Sequence, residues 1–342
     1  MTVPAVPASG RSDDAERVRV VDLLRGFAAV SVTWYHLTGG GKFLPHLPVL
    51  ARLSHYSYLG LDVFFVISGF VLPWSLYRAN YRLRSYGSFL LRRVVRIDPP
   101  YLCVIVLTLI LGYLSSHTPG FAGAQPFIGW AAVFGHIAFL NAFTGQPWLS
   151  PVFWTLAIEF QYYVLIGLIF PLVVSSSRVV RACVAMAFLI APHIVRRDTW
   201  LPGEACVFLL GIVTFQFRSG LLPKGQYFAT LAVATLDLGY VLGPAIAVAS
   251  LSAALLIAYA DRLRLPLQSR FLLWLGSISY SLYLIHVPIG GRVVNLAHRM
   301  PQTWWMQSAE AIAALCASLV AAAVLYRLVE KPSREFASRV GR

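Results

Sequence analysis

Few side chains in this sequence can carry charge, and several of them stand inside apolar stretches. Asp22, Arg25 and His36 share one such stretch, Arg19 to His36 (RVVDLLRGFAAVSVTWYH). On a helix turning about 100° per residue, the step from Arg25 to His36 returns to within about 20° of the same face, and Asp22 falls on that face too. One side of this helix is therefore expected to be polar over about 16 Å of its length. Charges at membrane depth are costly and face a bundle interior or a wet cavity. Histidine titrates near neutrality, so His36 suits a general base; the plainer alternative is an inert, hydrogen-bonded histidine at the membrane interface.

Four further stretches carry groups of the same kind. In GLDVFFVISGFVL (Gly60–Leu72), Asp62 is expected at the depth of His36, where an acid would orient the imidazole and raise its basicity. Ser68 and Gly69 allow close helix contact, which is also the bland reading of them. In LLRRVVRIDPPY (Leu90–Tyr101), Arg92, Arg93 and Arg96 precede Pro99-Pro100, which are expected to open the next span. Arg93 and Arg96 share a helical face, and arginine forks match phosphate oxygens; a membrane-flanking basic loop without that role is the rival. In PVFWTLAIEFQYY (Pro151–Tyr163), Glu159 is the first Asp, Glu, Lys or Arg after Asp98, with Trp154 and Tyr162 or Tyr163 within a few turns. It is either a site residue or half of a structural ion pair, for instance with Arg25. LGSISYSLYLIH (Leu275–His286) sets Ser279, Tyr283 and His286 in a polar stripe that either serves a site or only glues helices together.

The elements that must position these groups are membrane helices. The chain has 342 residues, 58% hydrophobic and only 12% charged, about half the charge of an ordinary soluble domain. Long apolar runs recur from end to end, which excludes a β-barrel pattern of short alternating segments. Candidate spans fall near 20–38, 57–77, 100–116, 127–143, 152–175, 179–195, 203–217, 227–240, 243–260, 271–291 and 308–329. The six arginines of residues 78–98 place that loop, and with it both termini, in the cytoplasm by the positive-inside rule. Both ends inside require an even number of crossings. The expected fold is thus all-α, a polytopic bundle of about ten transmembrane helices, with 127–143 or the 227–260 pair failing to span. Residues 1–17 are expected to be a disordered cytoplasmic N-terminus without a cleaved signal, 18–333 the membrane domain, and 334–342 a cytoplasmic tail.

The net charge of +14 is that of a protein meeting anionic lipid or an anionic donor in a bilayer, and no basic stretch forms a nucleic-acid module. Cys103, Cys183, Cys206 and Cys316 stand singly in apolar segments, which reads as small buried hydrophobes and not as a metal site.

Taken in order, the motifs resemble those of the acyltransferase 3 family of integral membrane O-acyltransferases. The likeness is carried by Arg25 and His36; by Gly60 to Phe70; by Arg93 and Arg96; by Trp154 to Tyr163; by Gly276, Ser279, Tyr280, Tyr283, Leu284 and His286; and by the closing Glu330 to Pro332. It implies a ten-span enzyme that moves an acyl group, often acetyl, from acyl-CoA to a hydroxyl of a sugar, a glycan or a small molecule such as a macrolide. His36, Asp62 and Glu159 would be catalytic. Arg25, Arg92, Arg93 and Arg96 would hold acyl-CoA, with Asp22, Ser68, Trp154, Tyr163, Tyr280, Tyr283 and His286 in support and no metal. Some members carry a C-terminal SGNH domain. The sequence through Arg342 is read as the membrane domain alone, which would complete the transfer or hand on to a partner. The rival from another class is a transporter or flippase whose Asp22, Arg25, Asp62 and Glu159 line a path. The sequence leaves the acceptor, the acyl chain length and the oligomeric state open.

Overall fold

The computed structural model describes residues 11–117, 129–195, 197, 199–260, 269–301 and 303–340, with side chains from residue 19 onward. The described chain is all-helical: α1 (Arg11–Leu37), α2 (Pro48–His55), α3 (Gly60–Arg78), α4 (Tyr86–Ser116), α5 (Trp130–Ile137), α6 (Asn141–Thr144), α7 (Phe153–Val173), α8 (Arg178–Ile194), α9 (Leu201–Arg218), α10 (Lys224–Val241), α11 (Pro244–Ala258), α12 (Arg270–Ala297), α13 (Trp304–Leu325) and α14 (Lys331–Arg339). Among the described residues, six helical runs are long and apolar enough to cross a membrane: Pro48–Arg78, Leu83–Ser116, Phe153–Val173, Leu201–Arg218, Arg270–Ala297 and Trp304–Arg339.

Several boundaries differ from the sequence expectation. The first helix starts at Arg11, so residues 11–17 are helical, while residues 1–10 of the expected disordered segment lie outside the described residues. The candidate span at 127–143, one of the two expected not to cross, is described as the eight-residue α5 and the four-residue α6, too short to cross. The arginine-rich stretch is not a loop ended by Pro99-Pro100. The single helix α4 begins at Tyr86 and runs through both prolines. Each proline removes a helical N–H, which deprives the carbonyls of Val95 and Arg96 of their helical partners. Tertiary contacts hold the helix together there. Tyr101 is buried, stacked on Phe139 (ring centroids 5.2 Å) and edge-on to Phe153 (4.9 Å). Of the tail, residues 334–339 belong to α14, which follows a single π-helical turn at Tyr326–Glu330.

The chain divides into two compact units, Met1–Ala28 with Leu59–Leu90 and Gln161–Ser277, and Ala29–Tyr58 with Leu91–Phe160 and Ile278–Arg342. The first unit is built around α9, in which every residue from Ala205 to Gln216 is buried. α3, α8, α10 and α11 pack on it. The α3–α9 crossing is close because a Cβ on Gly69 would strike the Phe208 carbonyl oxygen and one on Gly211 the Val66 carbonyl oxygen. Small residues let helix backbones approach where no water drives association. Phe65 and Tyr162 stack on Phe208 at 4.8 and 4.2 Å.

The second unit holds the end of α1, α2, most of α4, α5, α6, the start of α7, most of α12, and α13 and α14. Gly290 of α12 meets the Ala314 carbonyl and Ser318 hydroxyl of α13 and the Leu37 side chain of α1. Leu37, Val294 and Ala314 are buried together beside it. Glu330 fastens the end of this unit: its Oε2 accepts from the Ser281 hydroxyl (2.6 Å) and the Ser281 backbone N–H (3.2 Å). The acid of the closing Glu-x-Pro motif therefore ties the π-turn onto α12.

The α3–α9 crossing yields a direct test. Gly211→Val is expected to destabilise the protein by about 1–3 kcal/mol, the usual cost of overpacking. A thermal-unfolding scan in detergent with an unchanged midpoint would remove this contact from the core.

Candidate active site

In the second unit the end of α1 and the middle of α12 bring two histidines together. The rings of His36 and His286 lie 5.2 Å apart at 61°. Each Nδ1 faces the carbonyl of its own preceding turn, His36 to Val32 and His286 to Leu282, both at 3.0 Å. A carbonyl only accepts, so each Nδ1 carries the proton and each Nε2 keeps its lone pair. His286 is fully buried; His36 is half-buried. The Nε2 of His36 has no hydrogen-bond partner among the described residues.

One turn before His286, the Tyr283 hydroxyl meets the Thr155 hydroxyl of α7 and donates to the Val152 carbonyl at 3.3 Å. Glu159, one turn after Thr155, is within electrostatic reach of Tyr283. Near the start of the unit's share of α12, the Tyr280 hydroxyl donates to the Ile97 carbonyl at 2.9 Å, beside Arg96. Arg92 reaches the Val340 carbonyl just past α14, at 3.5 Å. Arg92, Arg93 and Arg96 thus stand on a helix whose register is fixed by α12.

His36 opens onto a cavity of about 490 Å³ that lies wholly within the second unit. Its polar lining includes Thr108, Ser115 and Ser116 of α4, Ser150, and Arg292 and Asn295 of α12. Thr108, Ser115 and Ser116 donate their hydroxyl protons to backbone carbonyls at 2.7, 2.8 and 2.7 Å, which leaves their oxygens as acceptors. Ser150 Oγ and Arg292 Nε are buried without a hydrogen-bond partner. Arg292 Nη1 donates to the Pro288 carbonyl at 2.6 Å.

The segment that carries Leu149 and Ser150 into the cavity wall is pinned by α5 and α6. The Leu149 N–H donates to His136 Nε2 at 3.1 Å, and the Asn141 amide donates to the Pro147 carbonyl at 3.0 Å. His136 is fully buried, and its Nδ1 faces the Ala132 carbonyl at 2.6 Å.

Five expected site residues lie in the other unit. Asp22, Arg25, Asp62, Ser68 and Tyr163 belong to the first unit, and His36, Arg92, Arg93, Arg96, Trp154, Glu159, Tyr280, Tyr283 and His286 to the second. Asp62 is buried and its charged neighbour is Glu204 of α9. Within its own unit, His36 is oriented by the Val32 carbonyl. Gly26, beside Arg25, packs against the backbone of Gly276 in α12.

The family model described as an acyltransferase domain matches residues 18–327. The chain belongs to the acyltransferase 3 family. Its relatives include Acyltransferase MdmB of Streptomyces mycarofaciens, 27% identical over 366 residues that cover 92% of this chain and 91% of that protein. The putative peptidoglycan O-acetyltransferase YrhL of Bacillus subtilis (strain 168) is 25% identical over 92% of this chain but 54% of its own length. The O-acetyltransferase OatA of Staphylococcus aureus (strain NCTC 8325 / PS 47) is 29% identical over 45% of this chain and 24% of its own. The chain thus spans nearly all of the first relative and about half or less of the other two. No solved structure matches it. Membership of this family makes the protein an acyl-transferring enzyme, and its apolar helices fit a membrane location.

Arg292, Ser150 and Thr155 were not singled out from sequence. Arg292 carried the one usable signal, a charge beside an apolar run. It falls just past the expected span end at residue 291, whereas α12 continues to Ala297.

His136 supplies a pH test outside the spanning helices. Burial holds its imidazole below the ordinary histidine range. A histidine whose folded pKa is depressed contributes stability above the unfolded value near 6.5 and loses it as pH falls below that value. The unfolding midpoint of the wild type is expected to drop between pH 7 and pH 5 by more than that of His136→Leu. Parallel pH profiles for the two proteins would discard this role.

Proposed function

We propose that this protein is a multi-pass membrane O-acyltransferase, with both termini in the cytoplasm and about ten crossings, that moves an acetyl group from acetyl-CoA to a hydroxyl of a sugar or glycan. The observation that carries the reading is the cavity-facing imidazole of His36, whose proton is fixed on Nδ1 by the Val32 carbonyl so that Nε2 presents a lone pair. The acceptor oxygens of Thr108, Ser115 and Ser116 in the same wall suit a ligand rich in hydroxyls. Acetyl as the group, and a glycan as the acceptor, are supported by two relatives, a putative peptidoglycan O-acetyltransferase and an O-acetyltransferase.

In this reading His36 Nε2 takes the proton of the acceptor hydroxyl as its oxygen attacks the thioester carbon. The new C–O bond forms, the C–S bond breaks, and the imidazolium returns its proton to the leaving CoA thiolate. His286 and Tyr283 keep the His36 ring in place from α12, and the Tyr283–Thr155 contact fastens that helix to α7. Arg93 and Arg96, with Arg92, hold the phosphates of CoA, where bidentate forks match the phosphate oxygens. Arg25 and the carboxylates Asp62 and Glu159 remain proposed contacts for donor or acceptor on sequence grounds.

Loss of a general base costs about 10²–10⁴-fold in rate. His36→Ala is therefore expected to lower CoA release from labelled acetyl-CoA by that factor in purified protein while acetyl-CoA still binds. Full activity in that variant would overturn the scheme, and a wild type that never releases CoA would favour a transporter. Arg93→Ala is expected to raise the KM for acetyl-CoA with kcat little changed; a fall in kcat alone would move Arg93 out of the donor site.

A further inference from the structure

We infer that the acceptor taken by the His36 cavity carries an acidic group, a carboxylate or a phosphate, and that Arg292 binds it. The inference rests on the reading of this cavity as the acceptor side of an acyltransferase. Arg292 stands on α12 in the cavity wall, and among the described residues it has no ion-pair partner. Its single hydrogen bond is from Nη1 to the Pro288 carbonyl of its own helix. That bond orients the guanidinium and leaves the Nε edge unused, with Nε itself buried and unpartnered.

A partly buried cation without a counter-ion is expensive, and an unpaired donor beside it adds the cost of lost hydration. An anion in the cavity relieves both. The guanidinium fork can grip two oxygens of a single carboxylate or phosphate. Ser150 Oγ, buried and unpartnered in the same wall, supplies a hydroxyl to the same ligand.

The anion is not the diphosphate of the donor. Tyr280 marks the level of Ile97 and Arg96 on α12, and Arg292 lies twelve residues further along, about 18 Å at the helical rise. Two cationic stations therefore stand about 18 Å apart along α12. One suits the phosphates of CoA, and the other lies beside the base that activates the acceptor.

Binding tests this without relying on turnover. The purified protein in detergent is titrated with methyl β-glucoside, methyl β-glucuronide and glucose 6-phosphate at constant ionic strength, with the unfolding midpoint as readout. At least one acidic probe is expected to bind about tenfold more tightly than the neutral glycoside, as a charge-assisted pair should give. Arg292→Gln is expected to abolish the preference. Arg292→Lys, which keeps the charge but not the fork, is expected to reduce it, and serves if the glutamine variant does not fold. Equal or absent binding of acidic and neutral probes, or an undiminished preference in either variant, would overturn the inference. His36→Ala is expected to retain the preference while losing transfer. Loss of transfer from acetyl-CoA in the wild type, with the preference intact, would instead remove only the proposed reaction.

Discussion

Polar groups in an apolar layer have no water to bond with, and this protein answers that constraint mostly with its own backbone. The hydroxyls of Thr38, Thr108, Ser115, Thr214, Ser252 and Ser318 each donate to the carbonyl one helical turn back. His36 and His286 do the same with Nδ1. Such a bond satisfies the donor and also fixes what the group has left to offer. A hydroxyl so engaged becomes an acceptor, and an imidazole so engaged presents a lone pair. The chemistry available to the cavity follows from that rule more than from any carboxylate.

Against that background, the exceptions carry information. Ser150 Oγ and Arg292 Nε are among the buried atoms without hydrogen-bond partners, as are the hydroxyls of Thr33, Thr235, Ser250 and Ser279 and Nε of Arg181; Ser150 and Arg292 are the ones of these that line the cavity His36 faces. The wall that presents Ser150 is itself held by a buried histidine and an asparagine from two helices too short to span. Those short helices build the site's wall instead of crossing the membrane.

Each unit has its own cluster of ionisable residues. The first gathers acids on and around α9: Asp62 beside Glu204, and Asp237 accepting from Cys206 at 3.1 Å and paired with His193 at 2.8 Å. The second gathers the imidazole pair, the α4 arginines and Arg292. Family membership makes the chain an acyltransferase, and the imidazole pair and the cavity it faces lie in the second unit.

The sequence alone determined the helical class, the order of the motifs and the family, because apolar length and residue spacing are local properties. It also marked His36, Tyr283, His286 and Arg96. Tertiary structure decided what those residues meet. Nothing local predicts that His286 will stand against His36, that Glu330 will bind Ser281, or that Tyr280 will bond Ile97, since each pair is far apart along the chain. It also decided where helices stop. A double proline reads as a break, yet aromatic packing around Tyr101 carries α4 through it. The expected span ends at residue 291, yet Gly290 packs on α13 and α12 runs to Ala297. Packing energy gathered from distant segments outweighs a local preference of a few kcal/mol, and that is why Arg292 reached the cavity unannounced.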